Sequence, residues 1–465
     1  MRPDRDTLVA GYGFVLDEFQ LRAMDTLDNG ESVLVAAPTG SGKTVVAEYA
    51  IAAALADGRR AFYTAPIKAL SNQKFHDLRK RHGDQSVGLL TGDNAINADA
   101  PIVVMTTEVL RNMIYARSGA LERLGIVVLD EVHFLQDAYR GPVWEEVMIH
   151  LDHAVRLVCL SATVSNAAEV AEWITTVRGE TGCIVEERRP VRLENLFMVA
   201  DRSNDRLHLL PTLIRGRPNP EVARLDSEAP RRRNDGAARH RPRRTLATPS
   251  RLDVIERLHQ EGMLPAIFFI FSRKACDEAA AQCRKAAVRL TTDLERDRIR
   301  GIVDARLVGI EADDLEVLGY ERFIDQLENG VAAHHAGMVP PFKEAVEACF
   351  VEGLVRVVFA TETLAVGINM PARSVVIEKL TKFTGEHHAF LTAGEFTQLT
   401  GRAGRRGIDT LGHAVVLWNP FVSFDQVAAL ASSKSFHLKS AFRPTYNMAA
   451  NLVRSYSSDE ARHLL

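Results

Sequence analysis

The chain has 465 residues, of which 46% are hydrophobic and 25% are charged, and its formal net charge is −3. This length predicts two or three domains with real hydrophobic cores and excludes a single small domain or a wholly disordered chain. No apolar run reaches the roughly 20 residues of a membrane helix, and the first residues lack a signal-peptide core, so we expect a cytoplasmic protein without membrane contact. The nearly neutral charge means that any nucleic acid would need a local basic groove.

The cysteines show no paired spacing. They are Cys159, Cys183, Cys276, Cys283 and Cys349. Cys276 and Cys283 stand seven apart in a helical pattern, which places them on one helix face and not in a zinc site. We therefore predict reduced, mostly buried thiols.

Residues 1–200 alternate short β-branched runs with amphipathic helical patterns. The runs lie at 32–36, 61–64, 102–106, 126–129 and 157–160. This alternation predicts an α/β domain with a parallel sheet and helices on both faces. In such sheets ligands bind at the carboxyl ends of the strands, so we expect the chemistry there.

The first run is followed by a glycine-containing turn and an alanine-rich helical segment. The turn reads Ala37-Pro38-Thr39-Gly40-Ser41-Gly42-Lys43-Thr44. Its glycines allow successive backbone N–H groups to point inward as an anion nest, and the helix N-terminus adds its positive dipole end. Lys43 can reach the β- and γ-phosphates, and the Thr44 hydroxyl suits Mg²⁺. A plain glycine-rich turn is the alternative, but this offset favours ATP and Mg²⁺ binding by residues 38–44.

The run at 126–129 ends in two adjacent carboxylates, followed by a histidine two residues later. The segment reads Asp130-Glu131-Val132-His133. Paired carboxylates are costly to hold together unless a cation or a proton relieves them. We predict that Asp130 positions Mg²⁺, directly or through water, and that Glu131 polarises the water that attacks the γ-phosphate. An acidic turn at a strand end is the alternative.

The pattern changes after residue 200. Within 201–250, the segment 216–250 is rich in Arg, Pro and Ala and has almost no large apolar residues. Such a segment cannot bury enough surface to offset its ordering entropy, so we predict a disordered linker, with RNA contact through its arginines as the lesser alternative. A second α/β alternation runs over 251–430, with β-like runs at 266–271, 355–360, 374–377 and 414–418.

Residues 431–465 return to a helical pattern and stop abruptly, which predicts a chain cut inside a further domain.

Several longer words in this order resemble the DExH helicases of superfamily two, and among them the superkiller and exosome-type RNA helicases. Besides the two motifs above, the words are APIKALSNQK at 65–74, TTEVLR at 106–111, LSAT at 160–163, HHAG at 334–337, FATETLAVGINMPA at 359–372, QLTGRAGRRG at 398–407 and SFHL at 435–438. Bacterial members of the family are the most similar. The resemblance implies two RecA-like domains in tandem, at 1–200 and 251–430, and the start of a helical winged-helix domain at 431–465.

The resemblance also implies a mechanism in which ATP lies between the two RecA-like domains. Arg402 and Arg405 would stabilise charge on the transferring γ-phosphate, and Gln398 would help to place the attacking water. Gly367 and Asn369 would approach the ribose and the phosphates. Two more cofactor-binding residues complete the set, with Phe14 stacking on the adenine and Gln20 reading its edge.

A track for single-stranded nucleic acid follows from the same words. The residues implied are Lys68, Asn72, Gln73, Thr107, Arg111, Thr361 and Thr363. Their hydroxyl, amide and basic groups suit phosphate and 2′-OH contacts. We also expect 161–163 and His133 to link the acidic pair to the interdomain site by hydrogen bonds.

We therefore expect an ATP-dependent 3′-to-5′ RNA helicase, acting as a monomer on single-stranded or 3′-tailed RNA with RNA-decay proteins as partners. A DNA repair helicase is the first alternative, although the short segment at 379–393, where DNA-unwinding relatives carry a longer hairpin, favours RNA. The second alternative is an RNA-binding scaffold that no longer hydrolyses ATP.

Overall fold

The computed structural model describes residues 11–228, 245–365, 370–383, 387–433, 435–444, 446–455, 457–459 and 462. These residues form two compact units. The first takes in the chain up to Arg188 and again from Ser435 onward, and the second is Arg189–Lys434. Among the described helices, none is both long enough and apolar enough to cross a membrane.

The first unit is built on an eight-stranded sheet. Its strands are β1 (Ser32–Ala36), β2 (Arg60–Ala65), β3 (Val87–Leu90), β4 (Ala95–Ile96), β5 (Ile102–Thr106), β6 (Leu124–Leu129), β7 (Arg156–Ser161) and β8 (Thr181–Val185). They lie in the order β4-β3-β5-β2-β6-β7-β1-β8. All neighbours are parallel except the edge pair β3–β4. Strands β1, β5 and β6 are buried along their whole length, as expected of a sheet covered on both faces.

Helices connect these strands. They are α1 (Glu18–Asp28), α2 (Thr44–Ala56), α3 (Lys68–His82), α4 (Thr107–Tyr115), α5 (Gly141–His150) and α6 (Ala167–Arg178), and α16 (Tyr446–Ser455) follows after the second unit. The alanine-rich α2 packs closely on the sheet, and its residues Val46, Ala50 and Ile51 belong to the main core of the unit.

The second unit is built on an eight-stranded sheet. The strands of this unit are β9 (Arg192–Asp201), β10 (Arg206–Pro211), β11 (Leu213–Ile214), β12 (Arg217–Pro218), β13 (Leu246–Ala247), β14 (Ala266–Phe269), β15 (Val331–His334), β16 (Val357–Ala360), β17 (Ser374–Ile377), β18 (Thr381–Phe383), β19 (His388–Phe390) and β20 (Leu411–Leu417). Seven strands of the sheet lie in the order β10-β9-β20-β17-β14-β16-β15, and the eighth, β13, pairs with β9. Its helices are α7 (Pro220–Ser227), α8 (Arg251–Gln260), α9 (Arg273–Lys285), α10 (Asp293–Arg306), α11 (Ala312–Val317), α12 (Tyr320–Glu328), α13 (Pro340–Val351), α14 (Ala393–Thr400) and α15 (Phe424–Ser432). The predicted tandem of mostly parallel α/β sheets is thereby confirmed.

The domain limits differ from the expected ones in two places. Strand β9 was expected in the first domain, but it pairs with β20 and β10 and belongs to the second sheet. The described residues from Ser435 onward, expected to start a separate winged-helix domain, group with the first unit.

The prediction of a disordered linker is wrong for residues 201–228. Helix α7 is anchored by the fully buried side chains of Val222 and Leu225. Asp226, also buried, accepts hydrogen bonds from the indole of Trp418 at 3.1 Å and from the backbone N–H of Phe424 at 2.9 Å. Three well-placed anchors are enough to order a short segment whose overall composition is polar. The three arginines at 231–233 and the two at 243–244 lie outside the described residues.

The five cysteines are free thiols, and four of them are buried. Burial raises the pKa of Cys159 to about 12 and that of Cys283 to about 11, so these thiols stay protonated and pack as small apolar side chains.

Candidate ATP site and strand-binding residues

The turn between β1 and α2 has the backbone that the sequence requires. Gly40 and Gly42 take φ angles of +81° and +89°, in the left-handed region that a glycine adopts without strain. Lys43 lies immediately before α2, and its Nζ donates to the backbone oxygens of Ala37 at 2.8 Å and Ser161 at 2.7 Å. The lysine therefore ties the turn to the end of β7, and places its charge among the predicted phosphate-binding residues 38–44.

Asp130 follows β6 directly and is buried. Its Oδ2 accepts from the phenol of Tyr63 at 2.5 Å, and its Oδ1 accepts from the backbone N–H of Glu131 at 2.9 Å. Burial raises the pKa of Asp130, and the neighbouring Glu131 raises it further, while Lys74, Tyr63 and Lys43 act in the opposite direction. Burial likewise raises the pKa of Tyr63 well above its usual value, so the phenol remains a neutral donor.

Lys74 brings a second positive charge to this site. Its Nζ donates to Oγ1 of Thr44 at 3.3 Å and lies 5.9 Å from the ring centre of Tyr63. Sequence reasoning missed both Tyr63 and Lys74 as site residues. The signal for Lys74 was its place in the motif APIKALSNQK, and for Tyr63 it was a phenol hydroxyl within the buried part of strand β2.

Glu131 has φ 56° and ψ 46°, a left-handed backbone that is unusual for a residue with a side chain. Its Oε2 lies 3.3 Å from Nδ1 of His133, and the same Nδ1 accepts from the backbone N–H of Ala162 at 3.3 Å. Burial lowers the pKa of His133 to about 3, with the charge of Lys43 adding to the effect, so the ring is neutral. Nδ1 is then an acceptor, and the contact with Glu131 is a close approach and not an ion pair.

The two residues predicted to bind adenine, Phe14 and Gln20, differ in exposure and in the contacts that their side chains already make. Phe14 is half-exposed, and its ring lies 5.7 Å from that of Tyr12. Gln20 is buried, its Oε1 accepts from the backbone N–H of Asp17 at 2.8 Å, and its Nε2 donates to the Gly42 oxygen at 2.9 Å. The amide of Gln20 thus closes the capping box of α1 and supports the phosphate turn, so reading a base would require an exchange of these bonds.

The residues of the first unit fit ATP with Mg²⁺. No group of three or more His, Cys, Asp or Glu side chains among the described residues could hold a metal by itself. Mg²⁺ needs no such cage, because it usually takes one or two protein oxygens and completes its shell with phosphate oxygens and water. The Thr44 hydroxyl, which accepts from Lys74, and the Asp130 carboxylate, which accepts from Tyr63, provide such oxygens.

The residues of the first unit that are predicted to bind a nucleic-acid strand lie on α3 and α4. Lys68 is exposed and its Nζ pairs with Asp93 at 2.9 Å. Asn72, one turn further along α3, is exposed, and Gln73 is half-buried. The side chains of Thr107 and Arg111 already have partners within the protein. Thr107 is buried, with its hydroxyl 3.5 Å from the Ala65 oxygen. Arg111 donates to Asn112 at 3.0 Å and approaches Glu146 at 3.8 Å.

In the second unit the turn after α14 carries the two predicted catalytic arginines. Gly404 has φ +90°, and a Cβ there would stand 2.6 Å from Cγ1 of Val191, so both the backbone and the space require glycine. Gln398 lies half-buried in the last turn of α14.

The two arginines have different surroundings. Arg402 is buried, and its Nε donates to the Ala365 oxygen at 3.1 Å. Arg405 forms a two-pronged ion pair with Asp409, through Nε at 2.8 Å and Nη2 at 2.9 Å. The hydrogen bonds and charge of Asp409 raise the pKa of Arg405. Arg405 is therefore the more accessible cation, held in a fixed orientation.

The remaining residues predicted to contact a nucleic-acid strand, Thr361 and Thr363, follow β16. The hydroxyls of Thr361 and Thr363 lie 2.9 Å apart, and both residues are at least partly exposed. Glu362 between them pairs with Lys382 of β18 at 2.7 Å, and Lys382 also pairs with Glu395 of α14 at 2.7 Å. Strands β18 and β19 form a short antiparallel hairpin at the segment predicted to be short. Gly367 and Asn369 lie outside the described residues.

Comparison with known proteins places this geometry in a family. Residues 17–170 match the DEAD/DEAH box helicase family, and residues 310–407 match the helicase conserved C-terminal domain. The chain belongs to the DEAD/DEAH-type helicases. Its two units are accordingly the tandem RecA-like α/β domains of a helicase, and the recognition made from the sequence words is confirmed.

Several relatives extend over nearly the whole helicase chain. It is 53% identical over 467 residues to the probable helicase HelY of Mycobacterium tuberculosis, and the match covers 99% of this chain and 52% of the relative. It is 40% identical to the chloroplastic DExH-box ATP-dependent RNA helicase DExH15 of Arabidopsis thaliana, over 97% of this chain and 41% of the relative. It is 37% identical to the exosome RNA helicase MTR4 of Homo sapiens, over 95% of this chain and 42% of the relative. The chain thus spans about half the length, or less, of these curated relatives.

Proposed function

We propose that this chain is the motor part of an ATP-dependent helicase that moves 3′-to-5′ along single-stranded RNA and separates duplexes. The proposal rests on groups that converge at the carboxyl ends of β1, β2 and β6. They are the phosphate turn, the two lysines Lys43 and Lys74, and the carboxylates of Asp130 and Glu131. Lys43, Tyr63 and Asp130 come from three separate strand–loop segments and meet in one site. A glycine-rich turn without chemistry would not need a buried carboxylate and two lysines beside it.

The residues of the first unit would divide the work. Bound ATP and Mg²⁺ would supply the γ-phosphoryl group and the charge neutralisation that its transfer needs. Residues 38–44 would hold the phosphates, with Thr44 and Asp130 facing the metal. Glu131 would orient and polarise the attacking water, and the neutral ring of His133 would limit the positions of its carboxylate.

The arginines of the second unit would stabilise the charge that develops on the γ-phosphate. Arg405 suits this task because Asp409 holds its guanidinium in orientation and leaves donors over for a ligand. Arg402 would stabilise the same charge while its Nε holds the Ala365 loop, and Gln398 would contribute to placing the water. Phe14 and Gln20 would serve the adenine, and Gly367 and Asn369 the ribose side.

RNA is the proposed substrate, with DNA as the alternative. The relatives DExH15 and MTR4 carry RNA helicase in their names, and the β18–β19 hairpin has only three residues in each strand. The predicted track of hydroxyl, amide and basic groups suits a sugar–phosphate backbone with a 2′-OH. We further propose that the protein acts in the cytoplasm as a monomer together with RNA-decay proteins.

The test is ATP turnover with and without single-stranded RNA and DNA of equal length and sequence, and Lys43→Ala is the control for a contaminating ATPase. We expect RNA to stimulate turnover more than DNA, and duplexes with a 3′ tail to be opened in preference to those with a 5′ tail. Equal or greater stimulation by DNA would favour the DNA helicase. Nucleotide binding without turnover in any condition would favour the ATPase-inactive scaffold.

A further inference from the structure

Residues 435–444 lie against the first unit, on two segments next to the acidic pair. One is the 3₁₀ helix Val132–Gln136, and the other is the loop that follows β7. The backbone N–H of Ser165 donates to the Phe436 oxygen at 2.8 Å, and Val164 forms an isolated parallel bridge with Phe436. We call residues 435–444 the return segment, because the chain re-enters the first unit there.

Oriented hydrogen bonds fix the register of the return segment. The side chain of Asn166 accepts from the backbone N–H of Leu438 at 2.8 Å and donates to the oxygen of the same residue at 2.9 Å. The backbone N–H of Ala441 donates to the Leu135 oxygen at 3.0 Å. Such paired polar contacts require one alignment of the two segments, so the side chain at position 436 has a defined place.

Phe436 contacts His133, which lies beside the proposed catalytic carboxylate. Its buried ring meets the imidazole of His133 almost edge-on, at 6.1 Å between ring centres and 82° between planes. His133 in turn approaches Glu131 at 3.3 Å. A residue with a left-handed backbone, such as Glu131, keeps that conformation only where its surroundings enforce it. The imidazole of His133 belongs to those surroundings, and the Phe436 ring packs against it.

We propose that Phe436 is a positioning residue for ATP hydrolysis, which acts on Glu131 through His133. The inference rests on the function proposed above. Edge-to-face packing restricts rotation of the imidazole, and the imidazole limits the positions that the Glu131 carboxylate can take. The contacts of Phe436 are with His133 and with the backbone of Val164 and Ser165, so its loss should slow the chemical step and leave nucleotide binding intact. A displacement of the return segment would therefore lower hydrolysis without releasing the nucleotide.

The experiment compares Phe436→Ala and Phe436→Leu with Leu438→Ala. Leu438 is a matched control because it is equally buried in the same segment and forms its polar contacts with Asn166, away from His133. We expect Phe436→Ala to lower kcat about 10-fold or more while KM for ATP changes less than about 2-fold, the pattern of an interaction needed in the transition state alone. Phe436→Leu should fall between, and Leu438→Ala should keep a kcat near the parent value.

A second readout follows the His133 ring directly, by NMR of protein labelled at histidine, with the His133 signal assigned as the one lost in His133→Gln. Phe436→Ala should shift this signal and Leu438→Ala should not. Parental kcat in a folded Phe436→Leu or Phe436→Ala variant would overturn the inference, as would an equal loss in Leu438→Ala or an unmoved His133 signal. A parent chain without ATP turnover would instead remove the proposed function, and the His133 signal would still decide whether the contact exists.

Discussion

The phenol of Tyr63 donates a 2.5 Å hydrogen bond to Oδ2 of Asp130, across the neighbouring strands β2 and β6. The other carboxylate oxygen accepts from the backbone N–H of Glu131 at 2.9 Å. Burial works against the charged form of Asp130 and raises its pKa, whereas the Tyr63 bond lowers it. Tyr63 therefore helps to keep ionised the carboxylate that we assign to Mg²⁺.

Tyr63→Phe should weaken the activation of ATP turnover by Mg²⁺. Without the phenol, Oδ2 of Asp130 is buried with one donor fewer, and the charged carboxylate becomes less favourable by about 1 to 3 kcal/mol. A Mg²⁺ titration of the ATPase should show a higher half-activating concentration, with the maximal rate less affected. Tyr49→Phe is the matched control, because Tyr49 makes a 2.6 Å bond to Asp28 in the same unit, away from Asp130. Identical titrations for Tyr63→Phe and the parent would contradict this role.

Glu131→Gln should bind ATP with near-parental affinity and hydrolyse it very slowly. The change removes the base that polarises water and leaves Lys43 and the phosphate turn in place. Turnover and nucleotide binding are measured separately, by phosphate release and by a fluorescent ATP analogue. Unchanged turnover would exclude Glu131 from the mechanism, and a joint loss of binding and turnover would indicate a structural role.

Arg405→Ala should lower kcat on the order of 10³-fold, the effect of losing a cation that stabilises the transferring phosphoryl group. Arg406→Ala is the control, because Arg406 is exposed on the same turn. An ATPase rate within a few-fold of the parent in Arg405→Ala would remove the assignment. Equal losses in both variants would point to damage of the turn itself.

Asp409→Asn should destabilise the protein at neutral pH, and the difference from the parent should shrink in acid. Burial alone would raise the pKa of Asp409, but the hydrogen bonds and charge of Arg405 outweigh it and the pKa is lowered. A lowered pKa contributes stability above the unfolded value of about 3.9 and loses it as the pH falls through the folded value. Urea unfolding at pH 7 and near pH 3 measures the difference, which should be about 1 to 3 kcal/mol at pH 7. A pH-independent difference would argue against the ion pair.

Asp226→Ala should lower the unfolding free energy of the second unit by about 1 to 3 kcal/mol or more, because two buried donors, on Trp418 and Phe424, lose their acceptor. Glu221→Ala, an exposed change on the same helix, should have little effect. Chemical denaturation followed by tryptophan fluorescence compares the two. Parental stability in Asp226→Ala would mean that α7 contributes nothing to the second unit.

The sequence was sufficient for the features that depend on local pattern. Alternating β-branched runs and helical stretches predicted both parallel sheets, and the turn at 37–44 and the acids at 130–131 were recognisable because each is one continuous word. Their side chains point into one site because β1, β2 and β6 end on the same edge of the sheet.

Contacts between distant segments were beyond the reach of pattern reading. Tyr63 and Asp130 stand 67 positions apart, and they meet only because β2 and β6 are neighbours. The regular structure of residues 201–228 was not predicted, because the composition of this segment is polar overall. Only three residues, Val222, Leu225 and Asp226, anchor its helix by burial. Nothing in the word SFHL indicated that it packs beside His133.

The return segment has a consequence for how the protein is made. Residues 189–434 leave the ribosome before residues 435–444, so the first unit emerges without the strand of backbone that pairs with Ser165 and Asn166. Domains generally fold in order of synthesis, but here the N-terminal unit can finish only after the second unit has been translated. During that interval the apolar groups that Phe436 and Leu438 later cover are exposed to solvent and to chaperones. Nascent chains stopped before Ser435 should therefore be held by chaperones longer than chains that extend past Phe442.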